Sequence, residues 1–176
     1  MSTLVINCSP RANGNSDCIT KYVRCDIDCE VIYLRDFEYS SCVGCDRCIK
    51  SGECVINDDA NELMRRVKLA DKVVFIAPVH FFGFGGHTKS FIDRAQALWN
   101  TRSGTRNKRI YLIAVGGQNF DDNFEPMVRT LRCFSMALGG KYCGGLFFKN
   151  VDKRGEIDTR ENEEKVREFI KNTVNI

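Results

Sequence analysis

The chain has 176 residues, 43% of them hydrophobic and 28% charged, with a formal net charge of +3. That is the size and balance of one globular domain, long enough to bury roughly 70% of its unfolded surface without disulfides. The longest apolar run, Val73 to Val79, is far short of the ~20 residues a bilayer crossing needs. The N-terminal MSTLVINCSP has neither a basic leader region nor a cleavage site, so the expectation is a cytoplasmic protein with no membrane partner. The basic residues are scattered, and Lys165, Arg167 and Lys171 share a segment with Glu161, Glu163, Glu164 and Glu168. Such mixing describes a solvated helix face with i,i+4 pairs such as Glu161 to Lys165, which argues against a nucleic-acid partner.

In chain order, β-branched apolar runs predict strands at Thr3–Asn7, Glu30–Leu34, Lys72–Pro78, Arg109–Val115 and Lys141–Phe148. Helical patterns are expected at about Ser16–Cys25, Asp59–Leu69, Thr88–Asn100, Asn123–Leu138 and Arg160–Asn172. Strands alternating with 10–15-residue helices imply βαβ units and a parallel sheet covered on both faces. Asp59 with Glu62 resembles a capping box, and Gly139-Gly140 is a natural helix stop. The reading is one doubly wound α/β domain over residues 1–176, with five parallel strands. Residues 35–58 break the alternation and carry four of the ten cysteines. A loop this long in a compact domain is usually functional.

Directly after the first strand comes Cys8-Ser9-Pro10-Arg11-Ala12-Asn13-Gly14-Asn15-Ser16, then a helix. Ligands of open α/β sheets sit beyond the carboxyl ends of the strands, and a helix N-terminus offers N–H donors and a positive dipole end to an anion. Ser9, Asn15 and Ser16 can bond phosphate oxygens, Arg11 adds charge, and Gly14 permits close backbone approach. No G-x-G-x-x-G and no Walker A sequence is present, which removes the two commonest nucleotide loops.

Ser-Pro-Arg followed by Gly-Asn-Ser after an N-terminal strand resembles the phosphate loop of the NADPH-dependent FMN reductase group, which has the flavodoxin-like fold. The resemblance continues through Ala70-Asp71-Lys72-Val73-Val74-Phe75, Ala77-Pro78-Val79 and Lys89-Ser90-Phe91-Ile92-Asp93-Arg94, and covers about residues 3 to 120. It implies FMN, with its phosphate held by Ser9, Arg11, Asn15 and Ser16 in a loop that includes Asn13 and Gly14. Pro78, Val79, His80, Phe81 and Phe82 would line the isoalloxazine, and Gly116, Gly117 and Gln118 would close its other side. Members of the group commonly have an aromatic, usually Tyr, where this chain has His80.

Cys42-x2-Cys45-x2-Cys48-x5-Cys54 places four thiols in 13 residues. Zinc fits poorly: a ribbon needs two separated pairs and a finger needs nearby histidines, whereas the only ones here are His80 and His87. Iron–sulfur clusters take four thiolates, and the compact spacing could close one cluster. With the flavin loop, it resembles the iron–sulfur flavoproteins, homo-oligomers that carry FMN and a [4Fe–4S] cluster. The other six cysteines (Cys8, Cys18, Cys25, Cys29, Cys133 and Cys143) share no spacing, and most are expected to be buried small hydrophobes.

Three functional readings follow. The first is an electron-transfer flavoprotein exchanging electrons between FMN and a [4Fe–4S] cluster, its partners being small molecules or a protein such as a ferredoxin. The second is an NAD(P)H-dependent reductase of flavins or quinones with no cluster. The third is a non-enzymatic FMN-binding redox sensor. No side chain needs to act as nucleophile or acid in any of them, because the redox chemistry belongs to the cofactor. The apolar Phe81, Phe82 and Phe84 and the long insertion lead to the expectation of a homodimer or homotetramer.

Overall fold

The computed structural model describes residues 1–104 and 107–174. Five parallel strands, β1 (Thr3–Asn7), β2 (Glu30–Tyr33), β3 (Lys72–Pro78), β4 (Arg109–Val115) and β5 (Lys141–Phe148), pair in the order β2-β1-β3-β4-β5. That is the flavodoxin-like order, and four of the five strands have the bounds read from the sequence. β2 stops one residue early because the chain turns into a single 3-10 turn at Leu34–Asp36.

Period-two alternation sorts each strand onto two faces. Leu4, Ile6, Val73, Phe75, Ala77, Ile110, Leu112 and Ala114 pack into one cluster with α3 (Asp59–Leu69), α4 (Gly86–Asp93), α5 (Gln96–Thr101) and α6 (Glu125–Ala137). Val5, Val74, Ile76, Tyr111, Ile113 and Val115 face the other way, onto α1 (Asn15–Asp26) and α7 (Arg160–Phe169). The sheet is thus buried on both sides, which is why its central strands read as continuous apolar runs. Among the described residues, no helix is long and apolar enough to cross a membrane.

Three expectations about the elements are corrected. The segment Thr88–Asn100 is two helices: at Arg94 and Ala95 the N–H groups bond the carbonyls of Phe91 and Ile92, a tightened i−3 turn that ends α4. The cap of α3 is Asp58, whose side chain accepts from Ala60 N–H; Glu62 pairs instead with Arg65 and Arg66, so there is no capping box. The C-terminal helix leaves regular α geometry at Ile170 for a π turn. The Glu161–Lys165 pair is present at 2.6 Å, and Gly139 follows α6 at φ +70.

Two details of connection matter below. The cysteine-rich insertion runs between β2 and α3, and after the 3-10 turn at Leu34–Asp36 it contains one short α-helix, α2 (Cys48–Ser51). At the other edge, Ile110 faces Tyr142 while Tyr111 faces Gly144, so Cys143 is an extra residue bulged out of β5.

Candidate functional site: a cleft at the strand carboxyl ends

The chain runs from β1 out to β2 and returns across the sheet to β3, so the connections diverge at the carboxyl ends of β1 and β3. A cleft of about 400 Å³ opens there, lined by Ser9, Pro10, Arg11, Asn15, Ser16, Pro78, Val79, His80, Val115, Gly116, Gly117, Val151 and Asp152. The N-terminus of α1 reaches this cleft with Gly14 as its N-cap and no side chain capping it. The first N–H groups of a helix have no intrahelical acceptor, so this end is free to serve an anion from solution. Ser9 and Ser16 are buried and Arg11 is exposed.

The remaining residues of this loop behave differently. The side chain of Asn15 is taken up by the loop after β5: its Nδ2 donates to Lys153 O at 2.9 Å and its Oδ1 accepts from Gly155 N–H at 2.9 Å. Asn15 therefore fastens one wall of the cleft to the other while still lining it. Ser9 Oγ donates to Arg11 O at 3.0 Å and accepts from Arg11 N–H at 3.2 Å, which shapes the turn. Asn13 sits at φ +57 with its N–H bonded to Asp17 at 2.7 Å, outside the cleft lining, as is Gly14.

The opposite wall begins at Pro78. His80 and Gly83 exchange backbone hydrogen bonds of 2.9 Å, and the two residues between them, Phe81 and Phe82, lie at φ +47 and +62. This is a two-residue turn with both central residues left-handed, a conformation normally given to Asn and Gly. Bulky residues pay of order 1 kcal/mol each to sit there, and such strain gathers at ligand sites. Phe81 is fully exposed, and Phe82 stacks on Phe120 with centroids 5.7 Å apart, forming an apolar rim outside the cleft proper. Phe84 turns inward onto Phe75. A Cβ on Gly116 would lie 2.6 Å from Asn123 Nδ2 and 3.2 Å from Val79 Cγ2, and one on Gly117 would lie 3.0 Å from Asp152 Cβ. Gln118 is exposed, and it too is absent from the cleft lining.

The insertion lies along α4, the helix that follows the Pro78–Gly85 segment. Tyr39 stacks on His87 at 4.2 Å, His87 Nε2 is 2.9 Å from Leu34 O, and the hydroxyls of Ser41 and Ser90 are 2.8 Å apart. Arg94 closes the neck of the loop. Its Nη1 donates to Asp58 Oδ2 (2.7 Å) and Ser40 O (3.1 Å), and its Nη2 to Ile56 O (2.9 Å) and Asn61 Oδ1 (3.1 Å). Burial tends to raise the Asp58 pKa, but the donors from Arg94 and Ser40 outweigh it and hold the carboxyl below its ordinary value. Within the loop, Cys45 is exposed and Cys42, Cys48 and Cys54 are half-buried, with Asn100 Nδ2 3.6 Å from Cys48 Sγ. All ten cysteines are free thiols. Of the six outside the motif only Cys8 is buried; Cys25 and Cys133 are exposed and Cys18, Cys29 and Cys143 half-buried, contrary to the expectation of buried hydrophobes.

A family model described as NADPH-dependent FMN reductase matches residues 1–136. The chain belongs to that family. It is 34% identical to an iron-sulfur flavoprotein of Methanocaldococcus jannaschii over 123 residues, 66% of this chain and 62% of that protein. It is 32% identical to an iron-sulfur flavoprotein of Archaeoglobus fulgidus over 91 residues, 49% of this chain and 41% of that one. The chain thus spans 62% and 41% of the length of these two relatives. Among solved structures, the NAD(P)H:quinone oxidoreductase from Methanothermobacter marburgensis superposes with a TM-score of 0.74 at 17% identity, over 96% of this chain and 94% of that one, a likeness of fold.

The FMN of this reductase family can be tested against the cleft. An uncapped helix end, an adjacent arginine, and two glycines at which an added Cβ would meet Val79, Asn123 or Asp152 make a cradle with a phosphate end and a wall bare of side chains. The volume also falls in the range of small-molecule sites, so the residues fit the group. A [4Fe–4S] cluster fares otherwise. The four thiols are the right donors in type and number, yet among the described residues no group of three or more His, Cys, Asp or Glu side chains is placed to hold a metal. The motif is contiguous in sequence and dispersed in space, so as arranged it does not fit.

Sequence reasoning missed Val151 and Asp152, which come from the loop after β5 and carry no local pattern. It also missed Arg94 as the neck of the insertion, because its partners lie 33 to 54 residues away.

Proposed function

We propose that this chain is an FMN-dependent oxidoreductase that binds FMN in the cleft, its phosphate at the Ser9–Ser16 loop and its ring between Pro78–His80 and Gly116–Gly117, with Phe81 and Phe82 at the rim. The observation that carries the reading is the uncapped N-terminus of α1 opening onto a cleft at the β1/β3 divergence, in a chain of the FMN reductase family. Bound FMN would supply the capacity to take electrons from NAD(P)H and pass them to a small acceptor such as a quinone or another flavin. The chain's own work is binding and exclusion. The α1 backbone N–H groups and Arg11 would hold the phosphate, while Gly116 and Gly117, where a Cβ would meet Asn123, Val79 or Asp152, keep their stretch of wall free of side chains. The Phe81–Phe82 rim shields the ring edge from water, and a second copy of the chain covers that rim.

A finer reading gives the Cys42, Cys45, Cys48 and Cys54 loop a [4Fe–4S] cluster. The thiol spacing and the names of the relatives support it, and the dispersed thiols do not, so no electron step is assigned to it. One experiment separates these. Protein purified without oxygen is assayed for FMN, iron and sulfide, and for NAD(P)H oxidation with a quinone acceptor. FMN with NAD(P)H turnover and no iron supports the plain reductase; about four irons per chain support the cluster. FMN retained with no turnover favours the redox sensor, and failure to retain FMN overturns the assignment of the cleft.

A further inference from the structure

A carboxylate stands in the first turn of α1, where the phosphate is to bind. Asp17 is the third residue of that helix, and an acidic side chain there uses the same positive helix end that a phosphate would use. Left alone it would also repel a dianion. It is not alone. Arg35 Nη1 and Nη2 meet its two oxygens at 2.9 and 3.0 Å, a bidentate pair with both side chains more than four-fifths buried. Asn7 Nδ2 and the Asn13 N–H complete the set at 2.9 and 2.7 Å.

Arg35 is held firmly in this role. Its guanidinium lies 4.4 Å from the centroid of the Tyr33 ring, and Nη1 also reaches Ser9 O at 3.4 Å. One side chain therefore ties the end of β2, the first residue of the phosphate loop and the first turn of α1. A planar fork at a carboxylate gives both charge and fixed geometry, which an ammonium does not.

We propose that Arg35 is a positioning residue for FMN: by neutralising Asp17 beneath the loop it lets the α1 N-terminus accept the phosphate dianion. This rests on reading the cleft as an FMN site. Arg35 lies outside the cleft lining and meets Asp17 and Ser9, so its effect is expected to be specific to the phosphate-bearing ligand. Riboflavin, which has the same ring and no phosphate, is the control.

The test is titration of the metal-free apoprotein with FMN and with riboflavin, read by flavin fluorescence, for wild type, Arg35→Met, Arg35→Lys and the double variant Arg35→Met/Asp17→Asn. Arg35→Met is expected to weaken FMN binding at least about tenfold while riboflavin moves less than about threefold. The double variant removes both charges and is expected to recover FMN binding to within about threefold of wild type. Arg35→Lys keeps the charge, loses the fork and falls between. Equal losses for both ligands in the folded variants, or a double variant as weak as the single, would overturn the inference while leaving the cleft assignment standing. Wild type that does not prefer FMN to riboflavin overturns both. Where Arg35→Met does not fold, the lysine and double variants decide the matter by the same ratio.

Discussion

Arg11 and Ser16 bring different things to the phosphate loop: an exposed positive charge, and a buried hydroxyl in the first turn of α1. Replacing both with alanine is expected to weaken FMN binding at least about tenfold, since each charge-assisted bond contributes roughly 1.5–3 kcal/mol. Isothermal titration showing unchanged affinity would remove this loop from the site. Asn15, assigned to the same task from the sequence, also ties the 153–157 loop through its side-chain amide. Nothing local distinguishes an asparagine that binds a ligand from one that binds a distant carbonyl. The cysteines divide just as sharply. Burial pushes the Cys8 thiol up to about 12, against a smaller opposing effect of Thr88, whereas Cys45 is exposed. Because the thiolate is the reactive form, iodoacetamide at pH 8 should label Cys45 in iron-free protein and reach Cys8 only after denaturation. Mass spectrometry of the folded and unfolded samples checks this, and early labelling of Cys8 would contradict its place in the core.

Among the elements, the strands were the most legible, because two buried faces leave no room for polar residues and the apolar run marks both ends. The helices were read less well where long-range polar contacts decide their limits. α4 ends at Arg94, whose side chain is 1% exposed and turned to Ser40, Ile56, Asp58 and Asn61 rather than to water. A hydrophobic period cannot report a buried arginine, so the helix break and the neck of the insertion were both invisible. Removing Arg94 while leaving Asp58 should cost about 3–5 kcal/mol, the usual penalty for stranding one partner of a buried pair. The pH dependence has a definite sign. Asp58 titrates lower in the folded chain than in the unfolded one, so its stabilisation is complete above the unfolded carboxylate range, near pH 4, and is lost as the pH falls through the lower folded value. Urea midpoints measured from pH 6 down to pH 2 should therefore fall more steeply for wild type than for Asp58→Asn; parallel curves would argue against the neck.

At the scale of the whole molecule, the parallel sheet and the position of the cleft followed from the alternation of elements and the flavodoxin-like order from the family resemblance, while the far wall of the cleft followed from neither. The exposed Phe81, Phe82 and Phe120 sit on the cleft rim, and a second copy of the chain is the occupant proposed for them. Light scattering at micromolar concentration is expected to give a dimer or tetramer, and Phe81→Asp with Phe82→Asp to shift it toward monomer; a wild-type monomer would refute the pairing. How copies can meet is constrained by the ends of the sheet. β2 offers only four residues, and β5 is interrupted by the bulge at Cys143 and by Gly144 at φ +135. Neither is a long flat ladder of free amides on which another strand could grow. The fold thus guards itself against strand-to-strand polymerisation, and orderly self-association is left to side-chain surfaces. Removing the guard, by deleting Cys143 so that β5 runs straight, should leave the cleft intact and turn concentrated solutions toward fibrous precipitate.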